Sequence, residues 1–128
     1  MSHFHAVVWL DHAEAHVQHF TREDVEKKLV HGKAHRHLHQ KRGATTSGHA
    51  PEDTVYYGKV AEALKGAEEI LVVGPANAKT EFVKFLDAHA QDLRKKVVAV
   101  ETVDHPTDGQ VLAYARKHFR AIDRMRGL

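Results

Sequence analysis

The chain has 128 residues, a length that predicts a single folded domain over 1–128. It contains no cysteine, which excludes disulfides and thiolate metal sites, and no apolar run of about 18 residues, which excludes a membrane-spanning helix. The formal net charge of +2 does not by itself indicate nucleic-acid binding, but 13 histidines add positive charge as the pH falls.

The first third of the chain is predicted to form three strands. An apolar run extends from Phe4 to Leu10, and Asp11-His12-Ala13-Glu14 supplies a tight polar turn. Small or apolar residues then alternate with polar ones from Ala13 to Gln18, which predicts a strand with one face in water. After a second turn at Arg22-Glu23-Asp24, the more polar segment Val25 to His31 is typical of an edge strand. Such short turns predict an antiparallel meander.

Three amphipathic helices alternate with two apolar strands in the second part of the chain. The strands are Ile70 to Val73 and Val97 to Val100, and their wholly apolar character is typical of a sheet covered on both faces. The first helix is predicted to begin at Pro51, and Asn77 is the predicted N-cap of the second. The predicted apolar helix faces are Tyr56, Val60, Ala63 and Leu64; Phe82, Leu86, Ala90 and Leu93; and Leu112, Ala115, Phe119 and Ile122.

The order of these elements, β-β-β-α-β-α-β-α, predicts an α/β fold. A meander followed by right-handed β-α-β units gives a ribonuclease-H-like, five-stranded mixed sheet with the strand order 3-2-1-4-5 and three helices. Within it, Val7 to Leu10 and Ile70 to Val73 are expected to be adjacent, parallel central strands.

Residues 33–49 differ in composition from the rest of the chain. They contain few apolar side chains and are punctuated by glycine, so we expect one long loop that is mobile without a partner. One hypothesis is that the cationic residues of this loop contact phosphate groups. The candidates are Lys33, Arg36, His37, His39, Lys41 and Arg42.

An alternative hypothesis for the same loop is metal binding. In an extended segment, His35, His37 and His39 lie on one face, and three imidazoles can hold zinc with an open position. Adjacent side chains on one strand converge poorly on one ion, and no nearby carboxylate supports them. The sequence therefore predicts no metal and no cofactor.

Three further features resemble functional motifs but have a structural interpretation. Gly74 to Thr80 resembles a phosphate-binding loop, but Ala78 stands where such a loop needs glycine before its lysine. Asp11 and Glu14, with Asp104, are strand-end carboxylates of the kind that nucleases use, yet a turn-forming role suits Asp11 better. Trp9, Tyr56 and Tyr57 could stack on bases, but Trp9 and Tyr56 each lie on an apolar run and are expected in the core.

Several segments, taken together and in order, resemble the central domain of the archaeo-eukaryotic class-1 release factors and their Pelota and bacterial relatives. The resemblance covers most of the chain. It implies the same ribonuclease-H-like fold, with a loop facing RNA in the position of residues 33–49. The segments are Val7-Val8-Trp9-Leu10-Asp11, Ala13-Glu14-Ala15, Lys59-Val60-Ala61-Glu62, Leu71-Val72-Val73-Gly74-Pro75, Lys79-Thr80-Glu81-Phe82 and Lys96-Val97-Val98-Ala99-Val100.

The chain differs from this family in the motif on which catalysis depends. Family members hydrolyse peptidyl-tRNA with a Gly-Gly-Gln motif, which this chain lacks. Leu38-His39-Gln40 occupies its place without gaps, so Gln40 is a candidate catalytic or RNA-contacting residue. A shifted register puts Arg42-Gly43-Ala44-Thr45 there instead.

We therefore predict a translation-associated, cytoplasmic module that contacts the ribosome or tRNA and is not catalytic. It is expected to bind neither DNA nor membrane. One alternative is a hydrolase of peptidyl-tRNA or another RNA-linked ester that uses Gln40 or a loop histidine. The second alternative is a histidine-rich metal-binding protein.

Overall fold

The computed structural model describes residues 5–32 and 51–125, and these form one five-stranded mixed sheet with helices on both faces. The strand order is β3-β2-β1-β4-β5, as predicted. The strands are β1 (His5–Leu10), β2 (Glu14–Phe20), β3 (Val25–His31), β4 (Glu69–Gly74) and β5 (Val97–Thr102).

Within the described residues, four helices connect or follow these strands, one more than predicted. The second predicted helix is divided because Ala90, with φ −151° and ψ 63°, interrupts the helical conformation. None of the helices in the described ranges combines the length and apolar character that a bilayer crossing requires. The helices are α1 (Pro51–Leu64), α2 (Ala78–His89), α3 (Gln91–Arg94) and α4 (Asp108–Met125).

The two central strands, β1 and β4, are adjacent and parallel, which confirms the prediction. Val7 lies opposite Leu71 and Val8 opposite Val72, and all four side chains are fully buried. Helices cover both faces of this strand pair, which explains why the sequences of both strands are almost wholly apolar.

The core has two layers, one on each face of the sheet. On one face, α1 and α2 pack against Val8, Val17 and Val72 through Tyr56, Val60, Leu64, Phe82 and Leu86. On the other face, α4 packs against Val7, Trp9, Leu71 and Val73 through Val111, Ala115 and Phe119. Because α4 is the one described helix on this second face, the edge strand β3 remains uncovered there, and Leu29 is 52% exposed.

Two local predictions are wrong. Gln18 was expected on a wet face of β2, but it is 1% exposed, and its amide donates to the Asp108 carbonyl at the start of α4. Asn77 occupies the N-cap position of α2 without a side-chain capping bond. Its helical backbone, φ −88° and ψ −14°, differs from the extended conformation from which a cap side chain reaches the first turn.

The segment from Gly74 to Thr80 is a strand-to-helix turn, as its structural interpretation predicted. The ammonium group of Lys79 donates to the carbonyl of Ala76 and is therefore turned back onto its own loop. A Cβ atom at Gly74 would lie 2.3 Å from the carbonyl oxygen of Leu10, so only glycine allows the ends of β1 and β4 to approach this closely.

Candidate functional site

The candidate site lies at the edge where β1, β4 and β5 end, which we call the carboxyl edge. From β1 the chain proceeds to β2 on one side, whereas from β4 it proceeds through α2 and α3 to β5 on the other. The strand order therefore reverses between β1 and β4. Ligands of open α/β sheets bind outside the carboxyl ends of the strands at such a reversal.

The residues predicted to contact RNA or metal lie outside the described residues. This holds for the phosphate-contact set, for Gln40 and for the predicted mobile loop over 33–49, so the structure places only the two flanks of the segment. One flank is Gly32, which follows β3, and the other is Pro51, where α1 begins. The residues concerned are Lys33, His35, Arg36, His37, His39, Gln40, Lys41 and Arg42.

The first flank is held firmly against the β1–β2 turn. The amide of Gly32 donates to the carbonyl of Ala13 over 2.7 Å. A Cβ atom on Gly32 would lie 3.2 Å from the carbonyl oxygen of His12, so a larger residue would crowd this contact. The segment that follows β3 therefore starts from a fixed point on the carboxyl edge.

Asp11 and Tyr56 stabilise the turn against which Gly32 rests. The Asp11 carboxylate accepts from the amides of Ala13 and Glu14 at 2.8 and 2.9 Å, which is the turn-forming role predicted from the sequence. The Tyr56 hydroxyl donates to the Asp11 carbonyl at 2.9 Å. Burial, and to a lesser extent the nearby carboxylate of Asp11, raises the pKa of Tyr56 far above its usual range, so the phenol keeps the proton that it donates.

A group of histidines and carboxylates surrounds this turn, and sequence reasoning missed it. The imidazole of His16 lies between two acids: its Nε2 is 2.8 Å from Glu14 and its Nδ1 is 3.0 Å from Asp108. Only the doubly protonated imidazolium can donate to both at once. The spacing of Glu14 and His16, two positions apart on one strand, was a usable signal for their contact. Asp108 is too distant in sequence to be paired with them.

Two further histidines border the same edge. His31 lies opposite Glu14 in the β2–β3 register, and its Nδ1 is 4.0 Å from that carboxylate. His12, in the β1–β2 turn, lies at 4.0 Å from Glu81 of α2. The carboxyl edge thus presents several imidazoles close to the fixed flank at Gly32.

Trp9 connects this edge to the loop that precedes α4. Its indole Nε1 donates to the carbonyl of Asp104 at 2.8 Å, and its ring contacts those of His16 and His105 at centroid distances of 5.6 and 5.3 Å. Trp9 and Tyr56 are 6% and 3% exposed, which confirms their predicted core role and rules out base stacking on either. His105, by contrast, has a side chain that is 64% exposed.

Two neighbouring cavities open on either side of His105 and Pro106. The smaller, of about 370 Å³, lies over Trp9 and His16. The larger, of about 490 Å³, has apolar walls, with Tyr114 and Gln110 among its lining residues. Its volume falls within the range of pockets that hold small organic groups. The walls of the larger cavity include Val73, Val103 and Val111.

His16 is not free to act as a general base, and the acids considered from the sequence do not form a metal site. A general base needs a ring nitrogen within reach of substrate, but both nitrogens of His16 face carboxylates. Within residues 5–32 and 51–125, no three histidine or acidic side chains converge in a way that could hold a metal ion. Asp11 and Asp104 therefore do not form the two-metal nuclease site considered from the sequence.

Comparison with known proteins shows a likeness of fold. No protein-family profile and no curated protein sequence matches the chain. Among solved structures, Pelota from Archaeoglobus fulgidus superposes with a TM-score of 0.65 at 17% identity over 96% of this chain and 33% of Pelota. Dom34 from S. cerevisiae gives 0.61 at 12% identity, covering 88% and 32%, and the archaeal termination factor aRF1 gives 0.56 at 14%, covering 96% and 41%.

The chain has the fold of one part of these proteins. The resemblance stated from the sequence is confirmed at that level, and the chain spans well under half the length of each of the three. Dom34 is described as a translation termination-like factor involved in RNA quality control pathways and interacting with Hbs1, and aRF1 as a translation termination factor.

Proposed function

We propose that this protein is a translation-associated module that contacts ribosomal RNA or tRNA through residues 33–49 and acts without catalysis. It would work in the cytoplasm with the ribosome as its partner. The observation that carries the proposal is the fixed origin of this basic segment. Gly32 is bonded to Ala13 on the carboxyl edge, next to the reversal of strand order where ligands bind in such folds.

The charge of the segment supports RNA as the ligand. Lys33, Arg36, Lys41 and Arg42 carry four fixed positive charges in a chain whose formal net charge is only +2. Lysine and arginine bind the phosphate backbone by releasing its counterions. The histidines at the carboxyl edge add charge close to the same origin when they are protonated.

The likeness to translation factors supports the same proposal. Two of the matched proteins are named as translation termination or termination-like factors. The sequence resemblance implies that the segment replacing Gly-Gly-Gln faces RNA. A role without catalysis is supported by the absence of the Gly-Gly-Gln motif from the sequence.

Ribosome co-sedimentation with charge variants tests the proposal. The test variant replaces Lys33, Arg36, Lys41 and Arg42 by alanine. The matched control removes four lysines from exposed positions outside the segment, so that both variants lose the same charge. The control positions are Lys59, Lys65, Lys84 and Lys95.

The wild type and the control are expected to pellet with ribosomes, and the test variant is expected to stay in the supernatant. Equal pelleting of the two variants would contradict the proposal. If the control pellets and the test variant does not, crosslinking of the wild type to ribosomes would identify the contacted RNA. Turnover of peptidyl-tRNA that is lost in Gln40→Ala would instead establish the hydrolase alternative.

A further inference from the structure

A small cavity of about 230 Å³ lies at the opposite edge of the sheet, where β1 begins and β2 turns into β3. Its lining includes the rings of Phe20 and Phe119, which are both 2% exposed. Three arginines complete the lining: Arg22 in the β2–β3 turn, and Arg116 and Arg120 one helical turn apart on α4. This edge is a full strand length away from the carboxyl edge.

No carboxylate of the described residues neutralises the three guanidinium groups. Among the described residues, no ion pair joins Arg22, Arg116 or Arg120 to an acidic side chain. The acid beside the lining residue His5 is Glu69, which lies 3.2 Å from the Nε2 atom of that histidine. The cavity therefore concentrates three positive charges, and such a concavity attracts anions.

Arg116 is already held in position. Its Nη2 atom donates to the carbonyls of Thr21 and Asp24 at 3.0 and 3.4 Å, and its guanidinium lies 5.8 Å from the centroid of the Phe20 ring. The Nε donor is buried without an acceptor in the described part of the chain. Buried donors are normally satisfied, so this one is available to donate to an anion that enters the cavity.

We propose that this cavity binds a phosphate group. Guanidinium groups bind phosphate oxygens with paired, charge-assisted hydrogen bonds, and three of them suit a tetrahedral anion with several free oxygens better than a planar carboxylate. The cavity is smaller than the pockets of roughly 300 Å³ or more that hold whole drug-sized ligands. It therefore fits the phosphate itself, with the rest of the molecule lying outside.

The phosphate can belong to an RNA backbone or to a free mononucleotide, since both present the same group. None of the described lining residues belongs to the 33–49 segment, and the test below uses no residue of that segment, so the site can be tested independently of the function proposed above. If RNA is the source of the phosphate, the two edges of the sheet would contact one RNA strand at two separated points.

NMR titration tests the site directly. Inorganic phosphate, AMP and a short single-stranded RNA without terminal phosphates are each added to the labelled protein. The signals to follow are the backbone amide of Thr21 and the Nε–H of Arg116. The test variant is Arg22→Gln/Arg120→Gln, because both side chains are exposed and leave the core intact. The control is Lys65→Gln/Lys117→Gln, which removes the same charge from exposed positions.

Inorganic phosphate is expected to shift both signals, and the test variant is expected to bind it about tenfold more weakly, because two charge-assisted bonds are lost. The control should bind nearly as the wild type does. Displacement of inorganic phosphate by the RNA identifies a backbone phosphate as the ligand, and displacement by AMP alone identifies a mononucleotide. Unshifted signals with all three probes, or equal weakening in the control, would overturn the proposal.

Discussion

Nδ1 of His16 lies 3.0 Å from a carboxylate oxygen of Asp108, and this contact connects β2 to the first turn of α4. The two residues lie near opposite ends of the chain in sequence. Together with the Trp9 bond to the Asp104 carbonyl, it fixes the start of α4 at the carboxyl edge. The helix that covers the second face of the sheet is thus held to the strands that carry the candidate site.

A double-mutant cycle measures this contact. His16 and Asp108 are replaced by alanine singly and together, and a coupling of about 0.5–1 kcal/mol in the free energy of unfolding is expected for a half-buried ion pair. Denaturant unfolding of the four proteins provides the measurement.

The same cycle on Asp104 and His105 is the control. These side chains also lie 3.1 Å apart, but they are 96% and 64% exposed, so their coupling should be close to zero. Equal coupling energies in the two pairs would show that the His16–Asp108 contact stabilises the fold no more than an exposed ion pair does.

Alanine substitutions at Gly74 and Gly58 are predicted to have opposite effects on stability, because only Gly74 lies where β1 and β4 approach closely. Gly74→Ala would place a Cβ atom 2.3 Å from the Leu10 carbonyl and is expected to destabilise the protein by about 1–3 kcal/mol. Gly58→Ala, inside α1, meets nothing nearer than Phe85 at 3.9 Å and should stabilise it by about 0.5–1 kcal/mol. Thermal unfolding of both variants checks the pair, and a stable Gly74→Ala variant would show that β1 and β4 are further apart.

The fold could be predicted from the sequence because its signals are local. The apolar run from Ile70 to Val73 indicates a strand covered on both faces, and the turns at Asp11 and Arg22 indicate a meander. What could not be predicted depends on contacts between distant segments. Gln18 has the pattern of a wet residue until α4 covers it, and Asp108 becomes a partner of His16 only in the folded chain.

The sequence predicted which residue types form the candidate site but not how the fold holds them. The basic segment after Gly32 stands out in the sequence, but its attachment to Ala13 depends on the antiparallel register of β2 and β3. The failure at Asn77 has a different origin. Its residue type favours a cap, whereas its backbone angles are already helical and its side chain makes no capping bond.

Tyr56→Phe tests the anchoring of the β1–β2 turn. Loss of the bond to the Asp11 carbonyl should reduce the free energy of unfolding by about 1 kcal/mol at neutral pH. Because folding raises the pKa of Tyr56, the phenol stabilises the fold below about pH 10, and that contribution is lost as the pH rises further. The variant should therefore lose less stability above about pH 10 than the wild type.

Tyr114→Phe serves as the control for Tyr56, since Tyr114 is 39% exposed and its hydroxyl donates to the carboxylate of Glu101 at the surface. Its effect should stay within about 0.5 kcal/mol, as is usual for surface positions. Unfolding curves across the alkaline range compare the three proteins. Identical pH dependence in the wild type and Tyr56→Phe would mean that the Tyr56 phenol titrates normally in the folded protein.

The loop histidines predict how RNA binding responds to pH. Protonated His35, His37 and His39 would add positive charge beside phosphate, so affinity should rise as the pH falls from about 7.5 to about 6. Replacing the three by asparagine should flatten this dependence. A metal site predicts the opposite trend, because protons compete with the ion for the imidazoles. Affinity that falls at the lower pH and is abolished by a chelator would favour the metal-binding alternative.

The salt dependence of RNA affinity tests the central claim most directly. Each phosphate contact contributes a slope of roughly 0.7–0.9 to the fall of the logarithm of the binding constant with the logarithm of salt concentration. Replacing Lys33, Arg36, Lys41 and Arg42 by alanine should therefore flatten the slope by about three and weaken binding, with little change in stability. The variant without Lys59, Lys65, Lys84 and Lys95 should keep nearly the wild-type slope. Equal slopes and equal low-salt affinities for the loop variant and the wild type would contradict RNA contact through this segment.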